Sequence, residues 1–314
     1  MSTNNTPSLI ILLGATAVGK TSTSIALAQW LDTEIVSTDS RQFYQEMTIG
    51  TAKPTHEEQA GVPHHLVDFL SVRDNYDVKQ FERDALQAIA HIFEKKPYAI
   101  ATGGSGLYVK TLCEGIDEMP DTPEHIRQEL QQKLEQEGLV SLAEELKMVD
   151  PHYYQEADLQ NPRRVIRALE VYYTTKKPYS SFINQSEVKE KRPFNIIKIG
   201  LAREREELYA RINLRVDQMV KEGLFDEAKA LQAYENHNAL QTVGYQEIFP
   251  YLRGEYDKDE AIRLIKRNTR RFAKRQLTWF RRDHDVEWFD LSKNEKQSLK
   301  SIKQYLKARL EIRA

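Results

Sequence analysis

The stretch from residue 8 to residue 31 constrains this chain more than any other. Leu9 to Leu13 (LIILL) is a short apolar run of the kind that forms a buried parallel strand. Gly14, four further residues and Gly19-Lys20-Thr21 follow, and a helical pattern begins directly afterwards. A strand, the pattern G-x-x-x-x-G-K-T and a helix, in this order, are the full context of a phosphate-binding loop. The sequence therefore predicts an α/β fold with a parallel sheet and a site for a diphosphate or triphosphate group.

The residue types of this loop explain how it would bind such a group. Its glycines let backbone N–H groups curl around an anion, and the following helix N-terminus adds partial positive charge. Lys20 adds a full charge, and Thr21 is placed to hold Mg²⁺ or a phosphate oxygen. The alternative is a tight turn without a ligand. The predicted diphosphate-binding residues are Gly14, Ala15, Thr16, Ala17, Val18, Gly19, Lys20 and Thr21.

Two further strand ends are expected near the loop. Residues 98–102 form an apolar run that ends in Gly103-Gly104-Ser105-Gly106, and Asp39 follows the predicted strand at residues 34–37. Ligands of open α/β sheets bind at the carboxyl ends of the strands, so we expect these two ends to face each other across a slot. Asp39 is a candidate general base or Mg²⁺ ligand there. Its alternative role is that of a helix cap or turn residue.

The glycine-rich end of the predicted strand at residues 98–102 indicates which type of reaction the site could support. An NTPase normally holds Mg²⁺ through an Asp at the end of such a strand, where this chain has glycine. The phosphate loop could instead hold a diphosphate as a leaving group while Asp39 removes a proton from the incoming nucleophile. The pattern thus favours alkyl transfer with a diphosphate leaving group, and a P-loop kinase is the alternative.

The stretch 263–282 is strongly basic, with nine Lys/Arg and no acidic residue. A helical wheel places Ile265, Phe272 and Trp279 on one side, which we expect to face inward. The opposite side is expected to contact phosphates of RNA, since no acidic residue within the stretch can neutralise it. A solvated cationic face is the alternative. The basic side consists of Arg263, Arg267, Arg270, Lys274 and Arg281.

Two other helical segments carry arginines in informative positions. Arg215 lies within the apolar stripe of its helix, and an arginine on a buried face needs an anionic partner. That partner could be a carboxylate or a bound diphosphate, and we favour the diphosphate. In NPRRVIRALEVYY (161–173), three arginines near a capped helix start suit an RNA backbone. The alternative for them is ion pairing with Glu156 or Glu170.

The remaining features bound the domain organisation and the class of protein. Residues 1–117 and 193–314 are expected to form the α/β core, and 118–192, which lack a strand pattern, a helical insertion. One cysteine among 314 residues excludes a disulfide framework and a Cys-based metal site. No apolar run approaches the length of a membrane span, and the N-terminus does not resemble a signal peptide. We therefore expect a cytoplasmic protein with no membrane partner.

Motifs that can be compared with known families occur along the whole chain: GATAVGKT, STDSRQFYQEMTIGTAKPT, GVPHHLVDF, ATGGSGLYVKTL, NPRRVIRALEVY, LYARINLRVDQMVKEGL, TVGYQE and FAKRQLTWFRR. In these motifs the chain resembles the bacterial tRNA dimethylallyltransferases. This family implies a P-loop NTPase-like core, with a parallel sheet flanked by helices and a helical insertion that grips the tRNA anticodon stem-loop. It also implies transfer of the dimethylallyl group from dimethylallyl diphosphate, with Mg²⁺, to N6 of the adenosine on the 3′ side of the anticodon. The tRNAs concerned read codons that begin with U, and we expect a monomer.

The resemblance also implies residue roles. Asp39 would hydrogen-bond the adenine N6 and act as base, and Arg215 would help to hold the diphosphate. Lys20 and Thr21 would lie nearest its charge, with Thr21 as the metal ligand. Ser105 stands where the family usually has Thr, and its hydroxyl should serve the same role. The implied tRNA-binding residues are Asp39, Ser40, Arg41, Gln42, Ser105, Arg127, Arg163, Arg164, Val165, Ile166 and Arg167. The alternatives are an enzyme that prenylates free adenine nucleotides, a P-loop kinase, and an RNA-binding protein with a degenerate site.

Overall fold

The computed structural model describes residues 6–183 and 191–311. In these ranges a single sheet of six strands has the order β3-β2-β4-β1-β5-β6, with every neighbouring pair parallel. The parallel sheet and all the predicted strands are confirmed, whereas β3 was not predicted. The strands are β1 (Ser8–Gly14), β2 (Ile35–Ser37), β3 (His64–His65), β4 (Tyr98–Gly103), β5 (Asn195–Ala202) and β6 (Val286–Asp290).

Helices cover both faces of this sheet and form the insertion. Asn161 caps α7 by accepting a hydrogen bond of 3.2 Å from the backbone N–H of Arg163, as the Asn-Pro start predicts. In α5, Gly138 breaks the helical path with φ 80°. The helices are α1 (Lys20–Leu31), α2 (His56–Gln59), α3 (Val78–Phe93), α4 (Gly106–Glu114), α5 (Glu124–Val149), α6 (Pro151–Glu156), α7 (Pro162–Thr175), α8 (Arg205–Glu222), α9 (Leu224–Ala230), α10 (Tyr245–Leu252), α11 (Lys258–Phe280) and α12 (Glu295–Arg309).

The central strand β1 shows why the sheet has two apolar layers. Every residue of β1 is buried, and successive side chains of a strand point to opposite faces. Leu9, Ile11 and Leu13 join a core with α3, α4 and α9 to α11. Ile10 and Leu12 join a second core with α1, α8 and α12. This burial on both faces explains the continuous apolar run LIILL in place of an alternating pattern.

The described residues form two compact units. One comprises the residues up to Glu114 and from Arg192 onward, and it contains the sheet. The other lies between Gly115 and Lys191 and is helical. The helical unit has a core of its own, built from Ile126, Leu130, Leu142, Leu146, Val165, Ala168 and Leu169. No helix within 6–183 and 191–311 is long and apolar enough to cross a membrane.

Candidate active site

The loop between β1 and α1 has the backbone shape of an anion cradle. Gly19 has φ 117° and Ala17 has φ 62°, so the chain passes twice through the left-handed region before α1 begins. A Cβ atom on Gly14 would lie 2.7 Å from the carbonyl oxygen of Leu201, which leaves room only for glycine. The first N–H groups of α1 have no acceptor within the helix and are therefore available to bind an anion.

The carbonyl groups of this loop are held by cationic side chains. These bonds fix the positions of the carbonyl oxygens, and the Nζ atom of Lys20 points back into the loop. The buried guanidinium of Arg203 also forms ion pairs with Glu207 and Glu295. The donors are Lys20 Nζ to Gly14 (3.0 Å) and Ala15 (2.9 Å), Arg211 Nε to Ala17 (2.9 Å), and Arg203 Nε to Val18 (2.7 Å).

Two cationic side chains beside the loop, Lys20 and Arg215, lack an acidic side chain that fully balances their charge. Burial lowers the pKa of Lys20 to about 8, an effect that Asp39 opposes and Arg215 reinforces. Burial also lowers the pKa of Arg215, although Glu58 and Asp39 favour its charged form. Within the described ranges no carboxylate forms an ion pair with Arg215, whose helical neighbours Leu208, Ile212 and Val216 are buried as predicted. An incoming anion would stabilise both charges, which favours the diphosphate over a carboxylate as the partner of Arg215.

The two expected strand ends lie side by side. β2 pairs with β4, so Ser37 lies opposite Thr102, and both chains leave the sheet at the same edge. The Ser40 backbone N–H donates to Ser105 Oγ at 3.1 Å, and the Ser105 hydroxyl donates to Ser40 Oγ at 3.1 Å. Asp39 Oδ1 accepts from the Arg41 backbone N–H at 3.0 Å, so its turn-forming role is also present. The carboxylate thus stands at the slot with one oxygen engaged.

Gln276 of α11 joins the phosphate loop to the glycine-rich strand end, which sequence reasoning missed. Its Oε1 accepts from the backbone N–H of Thr16 at 2.9 Å, and its Nε2 donates to the carbonyl of Gly104 at 2.8 Å. The N–H of Thr16 is therefore taken and is not aimed at an anion. The available signal was a buried polar residue on the apolar side of α11, three positions from Ala273.

Two adjoining cavities meet at these residues. The larger, about 790 Å³, is lined by the cations Lys20, Arg211 and Arg215 and by Thr21, with Glu58 as its acidic residue besides Asp39. The smaller, about 430 Å³, has an apolar wall of Ile212, Val216, Met219, Leu224, Ile265 and Trp279. Both cavities are lined by Thr16, Ala17, Asp39, Thr51, Ala52, Arg215, Phe272 and Gln276. One cationic and one apolar compartment joined at Asp39 match a diphosphate that is linked to a short hydrocarbon.

The structure corrects the expected orientation of α11. Ile265 is buried, but Phe272 and Trp279 are each 36% exposed and line the cavity instead of packing inward. The expected absence of acidic partners is also wrong for Arg263, which forms an ion pair with Glu260, one turn before the basic stretch. Arg267 and Arg270 donate to the neutral amide oxygens of Asn268 (3.2 Å) and Asn213 (2.6 Å), so they keep their net charge. The exposed cations of this region include Arg271, Lys274, Arg275, Arg281 and Arg282.

Two side chains expected to contact RNA near Asp39 are engaged within the protein. Gln42 Nε2 donates to the carbonyls of Thr51 and Ala52, each at 3.3 Å, so its amide supports the cavity wall. Arg41 Nη1 donates to the carbonyl of Asn238 at 2.8 Å while still lining the smaller cavity. Both residues therefore help to shape the slot, and their contact with RNA stays a prediction.

The helical unit holds the other expected tRNA contacts. Arg163 and Arg164 are exposed at the start of α7. Arg167 forms an ion pair of 3.0 Å with Glu170, the alternative considered for it. Val165 is completely buried and Ile166 is half-buried against the same core, so their side chains pack inside the helical unit. Contact of the 163–167 stretch with tRNA stays a prediction. Arg127 is exposed, and its Nη1 atom lies 3.7 Å from Oε2 of Glu124, with which it forms an ion pair.

The loop also fits a magnesium ion that arrives with its ligand. Thr21 stands in the first turn of α1 and lines the same cavity as Lys20 and Asp39. Across the described part of the chain, no cluster of three or more His, Cys, Asp or Glu side chains could hold a metal. Mg²⁺ commonly takes only one or two protein ligands and completes its shell with substrate phosphates and water. A single hydroxyl beside a cationic phosphate loop matches that pattern.

Comparisons with known proteins agree with this geometry. A family model described as IPP transferase matches residues 42–283. The tRNA dimethylallyltransferase 1 of Bacteroides thetaiotaomicron is 49% identical over 283 residues, which cover 90% of this chain and 91% of the relative. The tRNA dimethylallyltransferase of Christiangramia forsetii is 49% identical over 288 residues, covering 92% and 95%.

Solved structures give the same result. The full-length tRNA isopentenylpyrophosphate transferase of Bacillus halodurans superposes with a TM-score of 0.73 at 40% identity, covering 97% of both chains. A eukaryotic dimethylallyltransferase acting on tRNA superposes with a TM-score of 0.79 at 27% identity, covering 96% of this chain and 78% of the other. The P-loop NTPase-like class of the core is thereby confirmed. With a family model and relatives that span most of its length, the chain belongs to the IPP transferase family.

Proposed function

We propose that this protein transfers the dimethylallyl group of dimethylallyl diphosphate to N6 of the adenosine on the 3′ side of the anticodon in tRNA. The observation that carries the proposal is the pair of joined cavities, one cationic and one apolar, with Asp39 lining both. The names of the similar enzymes support tRNA over a free nucleotide as acceptor, and they favour prenyl transfer over a kinase reaction.

The donor would bind across the two cavities. Its diphosphate would accept hydrogen bonds from the first N–H groups of α1 and ion-pair with Lys20 and Arg215. Its five-carbon chain would lie against the apolar wall that includes Val216 and Ile265. Mg²⁺, which would be held by Thr21 and by the diphosphate itself, would supply positive charge to the departing group.

The transfer is a displacement at carbon. The adenine N6 attacks C1 of the donor, the C1–O bond breaks, and its electron pair leaves with the diphosphate. Asp39 orients N6 and takes its proton, since its carboxylate lies at the junction where donor and base would meet. Lys20 and Arg215 stabilise the charge that develops on the leaving diphosphate. The adenosine must leave its stack to reach this slot, as base-modifying enzymes generally require.

The remaining partners follow from the same arrangement. Exposed Arg163 and Arg164 of the helical unit would bind the anticodon stem-loop. The exposed cations of α11 would contact tRNA phosphates in their own right. We also infer that the enzyme works as a monomer. Its tRNA substrates would place it in the cytoplasm, and they would be tRNAs that read codons beginning with U.

One experiment tests the proposal directly. Purified protein is incubated with Mg²⁺, dimethylallyl diphosphate and an unmodified transcript of such a tRNA, with AMP and ATP as parallel acceptors. Mass spectrometry of the digested RNA should find a prenylated adenosine only with tRNA. A product on AMP or ATP instead would make this a free-nucleotide prenyltransferase. ATP consumption without any prenylated product would support the kinase alternative.

A further inference from the structure

The carboxylate of Glu227, on α9, accepts hydrogen bonds from three consecutive backbone N–H groups of a distant loop. Such a concavity of successive N–H groups is an anion-binding nest, and here the protein fills it with its own carboxylate. A tyrosine hydroxyl donates a fourth bond, so both oxygens are used twice. The donors are Thr48 N (2.9 Å) and Ile49 N (2.8 Å) to Oε2, and Gly50 N (2.9 Å) and Tyr245 Oη (2.6 Å) to Oε1.

Tyr245 fixes the loop from its other side. Its side chain is completely buried, and a Cβ on Gly50 would lie 2.5 Å from its hydroxyl oxygen. Burial and the neighbouring charge of Glu227 raise the pKa of Tyr245, so its hydroxyl stays a hydrogen-bond donor. The loop at residues 48–50 is thus clamped between a carboxylate and a buried phenol.

This clamped loop continues directly into the wall of the candidate active site. Gly50, Thr51 and Ala52 line the smaller cavity, and Thr51 and Ala52 also line the larger one. The carbonyls of Thr51 and Ala52 accept the amide of Gln42, which lies three positions after Asp39. A movement of the clamped loop would therefore be transmitted through Gln42 to the segment that carries Asp39.

We propose that Glu227 is a positioning residue for the acceptor side of the reaction. Glu227 does not itself line either cavity, and it acts by holding the 48–52 wall and the Asp39 segment in register. This inference rests on the proposed function, since it assigns Asp39 to the acceptor base. The phosphate loop is held by different residues, namely Arg203, Arg211 and Gln276. Loss of the clamp should therefore impair alignment of the tRNA adenosine and leave diphosphate binding intact.

The test compares Glu227→Gln with Glu46→Gln. The control residue Glu46 also accepts a backbone N–H and a hydroxyl, from Val72 (3.0 Å) and Ser71 (2.7 Å), but these residues do not line either cavity. In Glu227→Gln the amide NH₂ faces N–H donors, so we expect kcat to fall about tenfold or more and KM for tRNA to rise. The Kd for inorganic diphosphate with Mg²⁺ should stay within about twofold of the wild-type value, since the phosphate loop keeps its own hydrogen bonds.

A second variant keeps the test decisive if Glu227→Gln folds poorly. Tyr245→Phe removes one of the four hydrogen bonds and keeps the ring, so the same effects should appear at about two- to fivefold. Parallel loss of diphosphate affinity and activity, or unchanged kcat and KM for tRNA in both variants, would overturn the inference. It can fail separately from the proposed function, which fails if the wild-type protein transfers nothing to tRNA. If the wild-type protein transfers nothing, the role of Glu227 is tested by the affinity of the two variants for tRNA. An unchanged Kd for tRNA in both variants would then refute that role as well.

Discussion

Gln276 Oε1 accepts a hydrogen bond of 2.9 Å from the backbone N–H of Thr16, although 260 positions separate the two residues in the chain. The bond fixes the phosphate loop to α11, and the same amide reaches the carbonyl of Gly104 at 2.8 Å. α11 also presents Phe272 and Trp279 to the cavity. The cationic and apolar parts of the site are therefore held in register by one side chain.

Replacing Gln276 with leucine should weaken donor binding. The substitution leaves the Thr16 N–H and the Gly104 carbonyl without a partner in a buried place, which costs roughly 1–3 kcal/mol for each group. We expect KM for dimethylallyl diphosphate to rise about tenfold in steady-state assays. Gln297→Leu on the exposed start of α12 is the matched control and should behave like the wild type. Equal KM values for the two variants would contradict this role.

Asp39→Asn distinguishes the role of Asp39 as the proposed base from its role in the turn at Arg41. The amide oxygen of Asn can still accept the Arg41 N–H, so the loop should keep its shape. Loss of a general base typically lowers turnover by about 10²- to 10⁴-fold, and we expect a fall of that size in single-turnover transfer. Filter binding should show tRNA affinity close to that of the wild type. Turnover within about threefold of the wild type would remove Asp39 as the base, since the absence of a base costs far more.

Arg215→Ala should impair handling of the diphosphate more than binding of tRNA. A charged hydrogen bond contributes about 1.5–3 kcal/mol, so the Kd for inorganic diphosphate should rise roughly 10- to 100-fold. Calorimetric titration measures that change directly. Arg205→Ala is a control on the same helix, because Arg205 stacks on Tyr209 and does not line either cavity. If only tRNA affinity falls in Arg215→Ala, the residue serves the RNA instead.

The pKa of Lys20 predicts a pH dependence of diphosphate binding. Because burial lowers this pKa from 10.5 to about 8, the free protein loses the charge of Lys20 as pH rises through about 8. Affinity for diphosphate should therefore be full below that pH and fall by up to about tenfold per pH unit above it, by linkage. In Lys20→Met the affinity should be low and this dependence absent. The same pH dependence in both proteins would assign it to another group.

The exposed cations of α11 should determine how strongly tRNA binding depends on salt. Replacing Arg271, Lys274 and Arg275 with Gln should reduce the slope of log K against log salt by about 0.7 for each RNA phosphate that is no longer bound. Replacing Arg267 and Arg270 should change the slope less, since these side chains donate to Asn268 and Asn213 within the protein. Equal slopes for the wild type and the first variant would make this surface a solvated face.

Many of the strands and helices, and the phosphate loop between two of them, could be predicted from local sequence patterns. LIILL followed by G-x-x-x-x-G-K-T specifies a strand, a phosphate loop and a helix within about two dozen residues, because each element has its own periodicity and turn chemistry. The position of Asp39 after a strand sufficed to expect it at the slot, since the strands of a parallel sheet have their carboxyl ends at one edge. The helical character of the insertion likewise followed from its spacing of apolar residues.

Other features were decided only by the packing of distant elements. A helical wheel separates the apolar side of α11 from its basic side, but it does not distinguish a core from a cavity, and so Phe272 and Trp279 were misplaced. The roles of Gln276 and Glu227 depend on hydrogen bonds to backbone groups 260 and about 178 positions away. The sequence by itself determined the elements with a clear local pattern, such as β1, the phosphate loop and α1, because those follow from short-range periodicity. The tertiary structure alone decided which buried polar groups form hydrogen bonds with each other, because these bonds exist only once separate helices and loops have packed on the sheet.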